Sequence, residues 1–203
     1  MEQLESRALG KPKDYGDSDS PRIRTSPTGA VGSTPSAYIR IVTERPHYFF
    51  GQVIGVDDLE QEQLYQREKA RRHNRFLHGW GIVHGLEVRA GTHGTRKVTI
   101  SPGYALDRHG EEIVVSRSVA VDLSGHAAGT TVYVAVRYDE RPERPVQTPG
   151  GQQYTRIRET FAVEVLIRLP RQKPLVVLAD VELGRGGKVA NIGTAPRRYV
   201  RDD

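Results

Sequence analysis

One long helical pattern, from Asp58 to His78, constrains this chain more than any other feature, because the ordered segments after it read as strands that alternate with period two. It lies inside the stretch Pro46–Gly91, which also holds the only tryptophan, Trp80, and closely spaced glycines. Asp57 is a good N-cap residue, Glu60 stands at the capping-box position, and Asp58 suits the positive end of the helix dipole. Gly79, directly after His78, is the expected stop. At about 100° per residue, Leu59, Ala70 and Leu77 fall in line, with Tyr65 and Phe76 on the adjacent flank. Gln66, Lys69 and His73 share that arc, while Glu60, Arg67, Arg71 and Arg75 lie on the opposite side. The predicted contact face is therefore narrow and partly polar. Its polar groups either meet specific hydrogen-bond partners or reach water from a surface helix.

After the helix, GWGIVHGLEV predicts a tight glycine turn and then a strand through Leu86 and Val88. Val98–Ile100 reads as a strand ended by Pro102-Gly103. Tyr104–Asp107 and Glu111–Val115 flank Arg108-His109-Gly110 as a hairpin. Val132, Val134, Val136 and Tyr138 alternate, as do Phe161, Val163, Val165 and Ile167, and then Val177, Ala179, Val181 and Leu183. Between the first two of these strands, RPERPVQTPGGQQ reads as a charged loop. The final VANIGTAPRRYVRDD reads as a closing turn and basic terminus. Strands with no intervening helices predict an α+β chain: one long helix, then a mainly antiparallel sandwich or barrel-like β domain.

The first 37 residues are rich in Ser, Pro, Gly, Thr and charge, with no periodic apolar face. Ordering them would cost about 1–2 kcal/mol of backbone entropy per residue with little burial in return, so residues 1–37 are expected to form a flexible arm. That arm is either a mobile leader or a segment that orders on a neighbouring subunit. Tyr38, Ile39, Ile41 and Val42 could add a strand to a sheet edge. Residues 38–203 are expected to form a single helix-plus-β domain.

The absence of cysteine excludes disulfides and thiolate chemistry. The N-terminus has no apolar core of a signal peptide, and no apolar run nears the roughly 20 residues of a membrane span. A soluble, cytoplasmically made protein is expected. The net charge of +5 suggests nucleic acid, but arginines alternate with Glu and Asp along most of the chain, which fits protein interfaces better.

Catalytic and cofactor patterns are absent. The glycines at 79, 81 and 85 do not match GxGxxG, and they follow a helix instead of opening one. His73, His78 and His84 do not match HExxH, and His73 and His78 stand about 140° apart on an ideal helix. Asp57-Asp58 belongs to the helix start, Glu111-Glu112 alternates across a strand, and Asp139-Glu140 ends one. GxSxG is missing. No catalytic residue, metal ligand or cofactor is expected. Tyr48, Phe49, Phe50, Tyr65, Gln66, Lys69, His73, Phe76 and Trp80 are instead assigned as interface residues, because aromatic anchors and polar groups on a contact face suit subunit docking.

Four segments taken together resemble a known family. They are Tyr48-Phe-Phe-Gly-Gln, Asp57-Asp-Leu-x-x-Glu-Gln-x-Tyr65, His73-Asn-Arg-x-Leu-His-Gly-Trp-Gly-Ile-Val-x-Gly-Leu-Glu-Val88, and Val98-Thr-Ile-Ser-Pro-Gly-Tyr-Ala-Leu-Asp107 continuing to Val115. The family occurs in phage tail-like contractile injection systems, near tail-fibre and baseplate attachment regions. The match covers about Pro46 to Val115 and is weaker beyond. The resemblance implies a non-catalytic structural subunit, such as an adaptor at the cap or baseplate end. Its partners would be tube, sheath, cap or baseplate subunits, and it would assemble as a homo-oligomer, a six-fold ring being the expected form. It would reside in the cytoplasm and in a particle that is released or retained. Many relatives carry Cys where this chain has His84, Arg108 and His109, so any bridge or metal role there is absent or altered here. A stand-alone carbohydrate-binding or fibre-attachment β domain is the main alternative, and a nucleic-acid-binding protein the next.

Overall fold

The computed structural model describes residues 42–91, 95–169, 171 and 173–200. The arm expected at residues 1–37, and Tyr38, Ile39 and Ile41 of the expected edge strand, lie outside them. Val42, the last residue of that apolar segment, is buried but belongs to no strand.

Helix α1 runs Val56–His73 and continues as a π turn, Asn74–His78. Its start is two residues earlier than the sequence suggests. Gly55 caps it, and the Asp58 carboxylate accepts the Gly55 N–H at 2.9 Å. Asp57 and Asp58 thus sit in the first turn, where their charge favours the dipole, and neither is the cap. The stop is as expected, with Gly79 at φ +76.

Ten strands follow: β1 Gly81–Gly85, β2 Val88–Ala90, β3 Lys97–Ile100, β4 Gly103–Leu106, β5 Glu112–Val115, β6 Val119–Asp122, β7 Thr131–Thr148, β8 Gly151–Leu166, β9 Val176–Leu183 and β10 Val189–Gly193. They form three sheets, β1-β4-β5, β2-β3-β6 and β10-β9-β7-β8. Every ladder is antiparallel. The fold is the expected α+β arrangement of a long helix and an antiparallel β domain.

One core joins all three sheets, including Ile82, Val98, Ile100, Ile113, Val134, Val136 and Leu178. In β7 the alternation works as the sequence predicts, with Val132, Val134 and Val136 fully buried. Opposite them the register shifts between Val134 and Ala135, leaving Leu178 of β9 as an extra, buried residue. Burying each such aliphatic side chain contributes about 1.5–3 kcal/mol. Close approach explains the glycine turn: a Cβ on Gly81 would lie 2.6 Å from the Arg198 carbonyl oxygen.

Three stretches differ from the sequence reading. Residues 141–153 are not a loop. The ladder between β7 and β8 continues from Tyr133–Leu166 out to Thr148–Gly151, forming a two-stranded ribbon that only Pro149-Gly150 turns around. Pro142 and Pro145 are tolerated because this part of β7 pairs on one side only, so a missing N–H need not break a ladder. Val189–Gly193, read as part of a closing turn, is the edge strand β10. Val119–Asp122, unassigned from sequence, pairs with β3 as β6.

Candidate functional site

The helix faces the β domain with the side opposite to the one predicted. Gln61, Leu64, Glu68, Arg71 and Arg75 are half-buried, whereas Leu59, Gln66, Lys69, Ala70, His73 and Leu77 are exposed; no residue of α1 is fully buried. The reason is chemical. What meets the helix is a polar hairpin and a ribbon base, so charged side chains give the complementary face.

Arg71 pairs with Glu111 and, at 2.5 Å, with Glu68. Asn74 Nδ2 donates to the Gly110 carbonyl at 2.9 Å. Arg67 reaches Glu140 at 2.5 Å, and Gln61 Nε2 donates to the Glu44 carbonyl at 3.0 Å. Burial alone would lower the Arg71 pKa, but hydrogen bonds and charge from Glu111 and Glu68 outweigh it and raise it. Gly110, at φ +84, lies directly against the Arg71 backbone, where any Cβ would collide with the Arg71 carbonyl.

The hairpin under the helix is tied by Asp107, which is only 1 % exposed. One carboxylate oxygen accepts the His109 N–H at 2.7 Å and the Glu111 N–H at 2.9 Å. Burial raises its pKa despite these bonds. Nearby phenols are also shifted: burial, then Glu112, raises Tyr104 to about 12. Burial, then the Glu140 hydrogen bond, raises Tyr138. In both, burial is the larger cause and the neighbouring carboxylate the smaller, and Tyr138 lines the joint between helix and ribbon with Arg67, Arg71 and Glu111.

The predicted interface residues fall into three groups. Tyr48, Phe49 and Phe50 are exposed around a turn in which Gln52 N–H donates to the Phe49 carbonyl at 3.2 Å and Gly51 has φ +85. Exposure continues through Val53, Ile54, Val56 and Leu59. At the far end of the helix, Phe76 and Leu77 are exposed in the π turn, and Trp80 is half-buried between the guanidiniums of Arg108 and Arg198, at 4.3 and 4.4 Å from its ring centroid. Between these ends, Gln66 donates to Glu62 at 2.9 Å, and the Lys69 ammonium lies 5.8 Å from the half-buried Tyr65 ring. The structure thus splits the assigned residues between the two ends and the outer face of one helix.

His73 and His78 need a correction. An ideal helix separates them, but the π turn widens the spiral so that residues five apart align, and their rings come to 5.2 Å. Among the described residues no third His, Cys, Asp or Glu joins them to make a metal group.

Sequence reasoning also missed Arg197. Its guanidinium donates to the carbonyls of Gly85 and Leu86, both at 2.9 Å, and of Leu178 at 3.2 Å. It therefore locks the end of the described chain onto the glycine turn. Leu86, at φ +59, is held in a strained left-handed conformation there. A basic residue in a tail carries no sequence signal of that role.

No family model matches this chain, and no curated protein matches it. Solved structures with some likeness include the type VI secretion system TssK-TssF-TssG baseplate subcomplex, at 14 % identity over 77 % of this chain and 61 % of that chain, TM-score 0.48. Another is the baseplate complex from the type VI secretion system, at 12 % identity over 73 % and 40 %, TM-score 0.49. A crystal structure of TssK gives 12 % identity over 73 % and 40 %, TM-score 0.46. This chain therefore spans less than two thirds of each of those chains. At these scores the likenesses carry no inference about what it does.

Proposed function

We propose that this chain is a structural adaptor subunit of a phage tail-like contractile injection particle, docking neighbouring tube, sheath, cap or baseplate subunits without catalysis. The observation that carries the reading is the concentration of exposed apolar side chains between Tyr48 and Leu59, where Tyr48, Phe49, Phe50, Val53, Ile54, Val56 and Leu59 all face water. Soluble monomers rarely leave a large contiguous apolar surface in water, and such surfaces mark interaction sites. The display lies within the segment whose motifs resemble the injection-system family. In this reading Phe76, Trp80 and the outer face of α1 supply the second contact region, and residues 1–37 act as an arm that orders on a neighbour.

The test is purification of the contractile particles from cells that express this chain, followed by quantitative mass spectrometry and electron microscopy with a labelled copy. The expected result is a fixed, low stoichiometry at one end of the particle, with assembly impaired when the chain is deleted. A chain that stays out of the particles, with assembly unaffected by its loss, overturns the proposal.

A further inference from the structure

The two ends of α1 are complementary to each other, in shape class and in charge. At the N-terminal end the aromatic turn presents Phe50 fully exposed, beside the acidic first turn with Asp57 and Asp58. At the C-terminal end Arg75, Phe76, Gly79, Trp80 and Arg108 line a cleft of about 450 Å³. Arg198 on the Trp80 ring adds a third guanidinium to that end, and Arg72 and His78 belong to the same last turns of the helix. An enclosed cavity of about 150 Å³ accommodates a benzene ring, so the cleft has room for an aromatic side chain. Its guanidiniums suit the negative face of such a ring, as Arg108 already does on Trp80 and Arg75 on Phe76, at 5.7 Å.

The two features cannot meet within one chain. Phe50 precedes Val56 by a segment that reaches at most about 20 Å even if fully extended. The cleft lies about 30 Å along the helix at roughly 1.5 Å per residue. The hydrogen bond from Gln61 to the Glu44 carbonyl also holds the incoming chain beside the first turns of α1.

We propose that the occupant of the cleft is a second copy of this chain, docked head to tail. The Tyr48–Phe50 turn and acidic helix start of one copy seat against Phe76, Trp80 and the arginines of the next. Because the two contact surfaces differ, the contact is heterologous, and an open assembly keeps one free surface of each kind, one at either end, until a ring closes. The contact stands without the particle reading. Copies that pair in solution but never enter particles would refute that function alone, and a particle subunit whose copies do not pair this way would refute this contact alone.

The experiment is sedimentation velocity on the full chain with two variants, Phe50→Asp and Phe76→Asp. Both side chains are exposed, so circular dichroism and Tm should match the wild type and confirm folding. Wild type is expected to form species larger than a dimer as concentration rises. Each variant alone should sediment as a monomer. Mixed, the two should give a 1:1 dimer of doubled mass and nothing larger, since the mixture supplies one intact surface of each kind. A wild type that stays monomeric into the millimolar range overturns the proposal. So does assembly that survives both substitutions, or a mixture that yields no dimer.

Discussion

In the β body, side chains such as Ile82, Ile100, Ile113, Val134 and Leu178 are sealed from water and touch one another across three sheets. Helix α1 buries no residue fully and is held by Arg67, Arg71, Asn74 and Gln61 through polar contacts. The first kind of attachment is non-directional and scales with area; the second depends on geometry and on every partner being present. The apolar core of the β body is built without any residue of the helix. The helix is thus free to keep its apolar residues outward, which is the arrangement a docking element requires.

The largest expected effect contrasts the two regions directly. Ile82→Ala or Leu178→Ala should destabilise the fold by about 2–5 kcal/mol, whereas Leu59→Ala and Leu77→Ala should stay within about 0.5 kcal/mol. Denaturant melts of the four variants check it. A large loss at Leu59 or Leu77 would break the comparison, because it would make the outer face of α1 part of the core.

Next comes Gly110→Ala. A left-handed φ costs a non-glycine residue about 1–3 kcal/mol, and its Cβ would press on the Arg71 backbone. The expected outcome is faster hydrogen exchange throughout α1, with the β7–β9 amides still protected. Equal loosening of both regions would show that helix and body unfold as one unit.

Smaller still is the Arg71–Glu111 pair, whose side chains are partly exposed. A double-mutant cycle of Arg71→Ala and Glu111→Ala should give a coupling of about 0.5–3 kcal/mol. A coupling indistinguishable from zero would mean that backbone fit at Gly110, not charge, docks the helix.

The smallest effect is seen only in alkali. Tyr104 has a folded-state pKa raised from 10.0 to about 12, so the contribution it makes to stability is full below its ordinary value and is lost as pH rises through the raised one. Stability should therefore fall between those values. Phenolate absorbance should show Tyr104 titrating late together with Tyr138, and Tyr104→Phe should remove one phenol from that late group.

The β body was legible because its strands bury one face each, so alternation at Val132, Val134 and Val136 maps directly onto the core. The helix was legible in extent but not in orientation. Periodicity locates an apolar stripe and assumes that it turns inward; here the body offers Glu111, Glu140 and the Gly110 carbonyl, so Arg67, Arg71 and Asn74 turn inward instead. The ribbon was hidden by Pro142, Pro145 and Gly150, residues that signal loops in any strand paired on both sides. The proximity of His73 and His78 was hidden by the π turn, which no spacing rule for a regular helix anticipates.

The central claim is that the outward apolar surface of the helix region exists for partners. Hydrogen exchange on the full chain, free and within purified contractile particles, tests it most directly. The account predicts new protection across residues 48–59 and 76–80 in the particle, with the β7–β9 ladder unchanged. Particles that incorporate the chain while leaving those two segments as exchangeable as in the free protein would contradict it.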